Sequence, residues 1–243
     1  MDHSRLPKRV SIDSPKAEHC VTEEYPLPAV PGGWQKSVID LGWTTIDFMV
    51  PVTPDALLDL PDVIEANRLD DAMPYWATLW PAATTMSQLL TKADWPVGTE
   101  ILEVGCGLGL VGIAGLKRGW KMHLTDGEET TLPPARHNAA MNGFPEAAVS
   151  LIDWRRPPDR KYPVILACDV LYEVRHHAPL LNLIQTMLEE GGCCWIADPG
   201  RTPIVDFVRT AAERGQHVII RDADWQICSF PMRGRFQLLE LTR

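Results

Sequence analysis

The chain has 243 residues, a formal net charge of −9 at pH 7, and 45% hydrophobic and 23% charged residues. This length suits one domain with a large core plus an extension, and the composition is ordinary for a globular protein. The negative charge argues against non-specific nucleic-acid binding, which needs a broad basic face that displaces counterions from phosphates. A small-molecule site or a basic protein partner fits the charge better.

The cysteines and the apolar segments exclude further classes. None of the six cysteines belongs to a C-x-x-C pair or has metal-ligand spacing, so we expect no metal site. Several lie within apolar runs, which indicates reduced, buried thiols and a cytoplasmic location. No apolar stretch approaches the roughly 18 residues of a membrane span, and the N-terminus lacks the apolar segment of a signal peptide. We therefore expect no membrane partner. The oligomeric state stays open, with a monomer as the expectation.

The N-terminal part divides into an arm and an extension. Residues 1–34 are polar and interrupted by five prolines, so we expect a flexible arm there. Residues 35–72 form the extension. Between Ser37 and Val50 apolar residues alternate around a turn at Gly42, which predicts a β-hairpin. Residues 55–69 follow Pro54 and predict a short helix.

Residues 73–83 concentrate aromatic residues and prolines. Tyr75, Trp76 and Trp80 lie between Pro74 and Pro81, and the segment leads into a helix that ends near Leu90. Core filling alone would explain so bulky a segment. A lid across the mouth of a ligand site would explain it equally well.

From residue 100 onward, strands and helices alternate. The apolar pattern predicts strands at 101–104, 121–125, 149–152, 163–168, 193–197, 217–221 and 236–241, and helices at 109–118, 132–141, 177–190 and 203–214. This alternation predicts a Rossmann-like α/β domain over residues 73–243, with a mostly parallel seven-stranded sheet and helices on both faces. The connection between the last two strands is too short for a crossover helix, so the final hairpin is expected to be antiparallel.

A glycine-rich turn follows the first of these strands. Gly105, Gly107 and Gly109 alternate with Cys106 and Leu108, and glycines let the backbone approach a ligand closely. The dinucleotide fingerprint would require glycine at position 110, which is Leu110. A nucleotide-like ligand without a pyrophosphate is therefore favoured, and S-adenosylmethionine is the commonest such ligand. A turn that only packs a helix against a strand is the alternative.

Five consecutive strands end in or near an acid. These acids are Glu103, Asp126, Asp153, Asp169 and Asp198. Ligands of open parallel sheets bind beyond the carboxyl ends of the strands, so we expect these side chains to surround a ligand site.

Three of these acids are candidates for binding a nucleoside. Asp126 has the position of a carboxylate that accepts both ribose hydroxyls, although a solvated acid or a helix N-cap is possible there. Asp153 could accept the adenine amino group while Trp154 lies against the adenine ring, or both could belong to a turn at the rim. Glu103 could hold the glycine turn through its amide protons or reach the ammonium group of the methionine moiety.

Asp169 and Tyr172 are the candidates for the reaction itself. Their spacing can place a carboxylate and an aromatic ring on one side of a turn, which suits an amine nucleophile. Methyl transfer from a sulfonium needs an uncharged amine in line with the S–CH₃ bond, so positioning and electrostatics dominate. Capping of the following helix is the alternative for Asp169. Arg201 could pair with Asp198 or with an acidic substrate group, or form an ordinary surface ion pair.

These residues resemble the seven-β-strand class I methyltransferases over roughly residues 70–243, and within them the protein-lysine methyltransferases. The resemblance rests on Leu79-Trp80-Pro81, Glu103-x-Gly-x-Gly-x-Gly, Thr125-Asp126, Asp153-Trp154 and the D-x-x-Y element from Asp169 to Tyr172. Two stretches, 74–81 and 196–201, are similar to the enzymes that methylate lysines of the electron-transfer flavoprotein β subunit.

The resemblance implies an S-adenosyl-L-methionine-dependent enzyme that methylates a lysine side chain of a protein. The alternatives are methylation of a small-molecule amine and a non-catalytic cofactor-binding interaction module. Asp169 and Tyr172 are the expected catalytic residues. The expected cofactor-binding residues are Trp80, Glu103, Gly105, Cys106, Gly107, Gly109, Asp126, Asp153, Trp154 and Cys168, the last through its backbone.

Overall fold

The computed structural model describes residues 25–70 and 73–242. Most of the expected arm, residues 1–24, lies outside the described residues. The following residues run along the domain, where the Tyr25 hydroxyl donates a hydrogen bond to the Pro145 carbonyl at 3.1 Å. The buried ring of His137 donates from Nδ1 to the Tyr25 carbonyl at 2.6 Å. The chain that leads to the extension is therefore attached to the domain at Tyr25.

The described residues form strands and helices in alternation. The strands are β1 (Trp34–Asp40), β2 (Thr45–Pro51), β3 (Glu100–Val104), β4 (Lys121–Asp126), β5 (Ala148–Leu151), β6 (Tyr162–Cys168), β7 (Leu188–Asp198), β8 (His217–Arg221), β9 (Ile227–Cys228) and β10 (Gln237–Thr242). The α-helices are α1 (Pro61–Asp70), α2 (Pro81–Leu89), α3 (Leu110–Lys117), α4 (Leu132–Met141), α5 (His177–Met187) and α6 (Ile204–Glu213). Short 3₁₀ turns cover Pro54–Asp59, Tyr75–Ala77, Leu90–Lys92, Glu129–Thr131 and Val174–His176.

The main sheet has the order β5-β4-β3-β6-β7-β10-β8-β9. Strands β3 to β7 are parallel, whereas β10 is antiparallel to both β7 and β8. The predicted α/β fold, with its mostly parallel sheet and antiparallel final hairpin, is confirmed. The sequence pattern did not indicate β9, a two-residue edge strand that pairs with β8.

Two predicted helices have different bounds in the structure. The helix expected at 177–190 ends at Met187, because the glycines that suggested its end instead form an irregular start of β7. A Cβ at Gly192 would lie 2.6 Å from the Pro163 carbonyl oxygen, so this strand needs glycine there. The helix expected at 55–69 is interrupted at Leu60, which is extended with ψ 134° before Pro61. A residue that precedes proline disfavours the helical conformation.

Side chains of alternate strand residues fill a core on each face of the sheet. On one face Leu166 and Trp195 pack with helices α2 to α4 and with the N-terminal hairpin. On the other face Ile165 and Ile196 pack with α5 and α6. The central strands are therefore buried on both sides, and their carboxyl ends are held rigidly at one edge of the sheet.

The predicted hairpin is confirmed as β1 and β2, which pair antiparallel. Its Phe48 is fully buried in the core. The Asn138 side chain of α4 accepts a hydrogen bond from the Met49 amide at 2.8 Å and donates one to the Leu108 carbonyl at 3.0 Å. The hairpin is thus joined to α4 and, through Leu108, to the glycine-rich turn. Of the helices in the described ranges, none has the length and apolarity needed to cross a bilayer.

Candidate functional site

A cavity of about 360 Å³ opens at the carboxyl edge of the parallel strands. This volume lies within the range of roughly 300–1,000 Å³ that small-molecule sites occupy. The predicted site residues that line it are Trp80, Glu103, Gly105, Cys106, Gly107, Gly109, Asp126, Trp154, Cys168, Asp169 and Tyr172. Asp153 does not line the cavity.

The lining divides along the sheet edge into two parts. The β3–β4 half consists of Glu103, the glycine turn of residues 105–109, Asp126 and Trp154. The β6–β7 half consists of Asp169, Tyr172 and Arg201, with Trp80 from the segment before α2.

The glycine turn requires its glycines for conformation and for space. Gly105, Gly107 and Gly109 have φ values of +71°, +51° and +92°, a region that favours glycine. A Cβ at Gly105 would lie 2.8 Å from the Val170 side chain and 3.5 Å from the Trp154 ring. Gly105 therefore packs directly against the side chains of Val170 and Trp154, and a larger residue there would displace them.

Asp126 connects the end of β4 to this turn. Its Oδ2 accepts a hydrogen bond from the Gly107 amide at 2.9 Å, and its Oδ1 accepts one from the Glu128 amide at 3.1 Å. Burial raises the pKa of Asp126, and these backbone amides act in the opposite direction. Each carboxylate oxygen keeps a further acceptor position, so Asp126 can receive two hydroxyl groups side by side.

Glu103 lies beneath the first turn of α3. Only 2% of its surface is exposed, and a Cβ at Gly112 would lie 2.3 Å from its Oε2. Burial and, secondarily, the nearby Asp126 carboxylate raise the pKa of Glu103 to about 8. The Gly112 amide acts in the opposite direction. Glu103 lines the cavity and its Oε2 has no hydrogen-bond partner among the described residues, so both predicted roles, holding the turn and reaching the methionine ammonium, stay predictions.

Aromatic rings surround the mouth of the cavity. The Tyr75 and Tyr172 rings meet edge to face with centroids 4.9 Å apart, and Tyr75 meets Trp80 at 6.3 Å. The Trp80 indole donates from Nε1 to the Tyr75 carbonyl at 2.9 Å, which fixes the segment before α2. In the β3–β4 half, the buried Trp154 Nε1 has no hydrogen-bond partner among the described residues. The segment of residues 73–80 therefore both packs on the core and walls the cavity.

Asp169 has an unusual backbone and an incompletely satisfied carboxylate. It adopts φ +56°, and its amide donates to the Ala197 carbonyl at 2.8 Å. Its Oδ1 accepts a hydrogen bond from Arg201 Nε at 2.7 Å. Its Oδ2 is buried and has no partner among the described residues. The alternative capping role has no counterpart here, because neither Val174–His176 nor α5 has a side-chain cap.

Arg201 reaches Asp169 from the turn that follows β7. The Asp198 Oδ1 accepts the Gly200 and Arg201 amides, each at 2.7 Å, and this shapes the turn. Gly200 has φ +88°, and a Cβ there would lie 2.4 Å from the Arg235 carbonyl oxygen. The Arg201 guanidinium lies 5.3 Å from the centroid of the Trp80 ring. Its side chain therefore pairs with Asp169 and not with Asp198.

Asp153 differs from the other predicted site residues. Its Oδ1 accepts hydrogen bonds from the Arg155 amide and from Arg155 Nε, both at 2.9 Å. These bonds lower the pKa of Asp153 and turn its carboxylate toward Arg155. The predicted contact between Asp153 and adenine finds no support in this placement.

The structure adds Glu128 and Glu173 to the site, which the sequence did not single out. Arg201, for which the sequence left a substrate contact or an ion pair open, and Tyr75, from the segment that could form a lid, also line the cavity. For Glu128 the available signal was position, because it follows β4 at the same sheet edge as the predicted acids. Which of them faces the cavity depends on tertiary contacts.

The comparisons with known proteins agree with this geometry. A family model described as lysine methyltransferase matches residues 73–204. The chain is 25% identical to the ribosomal protein L11 methyltransferase of Parasynechococcus marenigrum, over 92% of this chain and 79% of that protein. It is 35% identical to the histidine protein methyltransferase 1 homolog of Dictyostelium discoideum, over 41% of this chain and only 35% of that protein.

Solved structures share the fold at low sequence identity. The ribosomal protein L11 methylase of Lactobacillus delbrueckii subsp. bulgaricus aligns with a TM-score of 0.53 and 23% identity, over 67% of this chain and 78% of that chain. A glycopeptide N-methyltransferase crystallised with S-adenosyl-L-methionine aligns with a TM-score of 0.50 and 16% identity, over 66% and 93%. These identities support the fold alone.

Proposed function

Because the chain belongs to the lysine methyltransferase family, we propose that it transfers a methyl group to a lysine side chain of a protein. The family makes it an S-adenosyl-L-methionine-dependent protein methyltransferase. The observation that carries the lysine assignment is the buried Oδ2 of Asp169, which has no hydrogen-bond partner in the described part of the chain, in a residue that lines the same cavity as Tyr172. An amine N–H is the donor that this oxygen lacks.

The residues of the β3–β4 half fit the cofactor. Gly105, Gly107 and Gly109 line the cavity without side chains, so a ligand can approach the backbone of the turn closely. Asp126 has acceptor positions for both ribose hydroxyls, and Trp154 lines the cavity with an Nε1 that has no partner among the described residues. We assign the ribose to Asp126 and the adenine to Trp154. When bound, S-adenosyl-L-methionine supplies an electrophilic methyl group that the amine nitrogen attacks, while the electrons of the C–S bond return to sulfur.

The residues of the β6–β7 half position the amine for this attack. Asp169 Oδ2 accepts one N–H and thereby directs the nitrogen lone pair toward the glycine turn. Tyr172 and Trp80 wall the approach and exclude water, so that alignment supplies most of the rate enhancement. Burial raises the pKa of Tyr172 above its ordinary value. Its hydroxyl therefore stays protonated at neutral pH and does not act as a base.

The acceptor is proposed to be a basic protein that presents a lysine. Glu173 is ion-paired with Arg175, but Glu128 also lines the cavity and the exposed Glu129 follows it in the chain, so this side of the mouth carries negative charge. Segments 74–81 and 196–201 resemble the enzymes of the electron-transfer flavoprotein β subunit, which makes that subunit one candidate acceptor. Ribosomal protein L11, the substrate named for several relatives, is the other candidate. We also propose a cytoplasmic location, since the cysteines of the described residues are free.

Methyl transfer to each candidate can be measured directly. The enzyme is incubated with methyl-labelled cofactor and either purified protein or a lysate separated into high- and low-molecular-weight fractions. Mass spectrometry of the labelled protein then identifies the methylated residue. We expect methyllysine with the native enzyme and almost none with Asp169→Asn.

Other outcomes would replace the proposal. Label on histidine would overturn the lysine assignment, and label confined to the low-molecular-weight fraction would indicate a small-amine substrate. Retained binding of S-adenosylhomocysteine without any labelling would indicate a non-catalytic binding module.

A further inference from the structure

We propose that Arg201 is a positioning residue for methyl transfer, which leaves one oxygen of Asp169 free and offsets its negative charge, so that the acceptor amine binds uncharged. The inference rests on the proposed function and extends it to the protonation state of the acceptor. An ammonium group has no lone pair for attack, so a site that selects the neutral amine selects the reactive form.

The contacts of Arg201 show a built arrangement. The guanidinium donates to Asp169 Oδ1 at 2.7 Å and lies over the Trp80 ring, which limits it to one direction. The carboxylate of Asp198 and the backbone of Gly200 hold the turn from which it extends. The Asp169 side chain is 4% exposed and that of Arg201 is 32% exposed, so little water screens the pair.

The pairing determines which oxygen remains for a ligand. Arg201 takes one acceptor position of Oδ1, whereas the buried Oδ2 has no hydrogen-bond partner among the described residues and so has both of its positions for a ligand. The left-handed backbone of Asp169 and the hydrogen bond from its amide to the Ala197 carbonyl fix the carboxylate with respect to β7. The acceptor nitrogen therefore has a single defined partner, which is what in-line attack requires.

The charges around Asp169 decide how an amine binds there. Asp198 directs its Oδ1 at two amides of its own turn, and burial raises its pKa. Burial also raises the pKa values of Cys168, which precedes Asp169, and of Tyr172, which lines the same cavity, so both are uncharged at neutral pH. Glu103, which faces Cys168 from β3, has a pKa of about 8, so it is mostly protonated at pH 7 and about half ionised at pH 8. Arg201 is thus the cation that balances Asp169.

This balance affects the bound amine in a definite direction. An unpaired carboxylate in a poorly hydrated site stabilises the ammonium form of a lysine, whereas an adjacent guanidinium disfavours it. With Arg201 in place, the amine forms a hydrogen bond with Asp169 while the Asp169–Arg201 pair itself carries no net charge. Removing Arg201 would reverse the preference and retain the ligand as ammonium.

The test uses n-butylamine, which reproduces the lysine side chain, and protein saturated with S-adenosylhomocysteine. The latter lacks the sulfonium charge, so the pH dependence reports the protein's own groups. Butylamine binding is followed by ligand-observed NMR from about pH 7 to about pH 9. For the native protein we expect the dissociation constant to fall about tenfold per pH unit, because the neutral fraction of an amine of pKa about 10.4 rises by that factor.

The variants separate charge from shape. Arg201→Met is expected to bind butylamine with a dissociation constant that changes less than about twofold over this pH range, since it binds the ammonium form. Arg201→Lys keeps the charge and should retain the native pH dependence. If Arg201→Met does not fold, the double variant Asp169→Asn/Arg201→Met removes both charges and should also show the native slope. Glu103 titrates in every variant, so it does not contribute to the difference between them.

The outcomes distinguish the two proposals. Equal slopes for the native protein and Arg201→Met, with S-adenosylhomocysteine bound in both, would overturn the role of Arg201 alone. If Arg201→Met does not fold, a butylamine dissociation constant that does not change with pH in Arg201→Lys or in the double variant would also overturn the role of Arg201. Failure of the native complex to bind butylamine at any pH would overturn the amine-acceptor function itself.

Discussion

Along one sheet edge, the β3–β4 half of the cavity is built from backbone amides and the β6–β7 half from side chains. In the first, Asp126 receives the amides of Gly107 and Glu128 within a short segment of chain. In the second, Asp169 pairs with Arg201, 32 residues further along the chain. The ring of Trp80, which precedes the first parallel strand β3 in the chain, packs against Arg201. Local turns suit recognition of an invariant cofactor, whereas assembled side chains suit orientation of an acceptor.

If this division is correct, changes in the β3–β4 half reduce cofactor affinity and changes in the β6–β7 half reduce the rate of transfer. The two quantities can be measured separately. Affinity is obtained from titration with S-adenosylhomocysteine, and the rate from single turnovers at saturating cofactor.

The largest effect is expected for Asp169→Asn. Asparagine tolerates the left-handed backbone at this position but cannot provide the same acceptor charge. We expect the transfer rate to fall about thousandfold, which is typical for the loss of a positioned polar group in an active site. The affinity for S-adenosylhomocysteine should change by less than about threefold. A loss of affinity for S-adenosylhomocysteine as large as the loss of rate would place Asp169 at the cofactor. It would contradict the division of the cavity into a cofactor half and an acceptor half.

The next effect concerns Asp126→Ala. The substitution removes the acceptor of the Gly107 amide and both of the ribose contacts that we propose, and charged hydrogen bonds each contribute about 1.5–3 kcal/mol. We expect S-adenosylhomocysteine to bind about hundredfold more weakly in calorimetry. Asp153→Ala is the matched comparison, because its carboxylate is engaged with Arg155 outside the cavity. A weakening by Asp153→Ala as large as that by Asp126→Ala would restore the predicted adenine contact.

A third effect uses the buried carboxyl of Glu103. Its pKa rises from an ordinary value of 4.5 to about 8 on folding. The contribution of the neutral Glu103 carboxyl to the free energy of unfolding is fully present below pH 4.5 and is lost as the pH rises through 8. The reason is that Glu103 ionises at a lower pH in the unfolded chain than in the folded one. Between about pH 6 and about pH 8, the free energy of unfolding of the native protein should fall by about 2 kcal/mol relative to Glu103→Gln. Parallel denaturant curves for the two proteins over this range would contradict the burial of a neutral carboxyl.

The β3–β4 half could largely be predicted from the sequence. Its parts lie close together in the chain, and adjacent parallel strands such as β3 and β4 bring Val104 beside Thr125. The turn that needs glycine and the acid that follows it are therefore fixed by local patterns. The bounds of the surrounding elements were less certain, since glycines at the start of β7 gave the same signal as the end of a helix.

The β6–β7 half could be located but not assembled. The sequence placed Asp169 and Arg201 after neighbouring strands, where Cys168 pairs with Ala197. It did not show that the guanidinium turns to Asp169, because that direction depends on Trp80 and on the backbone near Arg235. Asp153 shows the converse, since a local turn with Arg155 directed an otherwise well-placed acid away from the cavity.

The smallest expected effects come from two tryptophans, one in each half, and they test the division most closely. Trp80→Phe keeps a ring beneath Arg201 but loses the Nε1 donor to the Tyr75 carbonyl, a contact of about 1 kcal/mol. We expect the transfer rate to fall about fivefold with little change in affinity. Trp154→Phe should do the reverse and weaken the binding of S-adenosylhomocysteine about threefold with an unchanged rate. Its Nε1 has no partner among the described residues, and we assign the adenine to this side chain. If both substitutions weakened the binding of S-adenosylhomocysteine and left the transfer rate unchanged, Trp80 would contact the cofactor, as the family resemblance implies. Trp80 would then belong to the β3–β4 half.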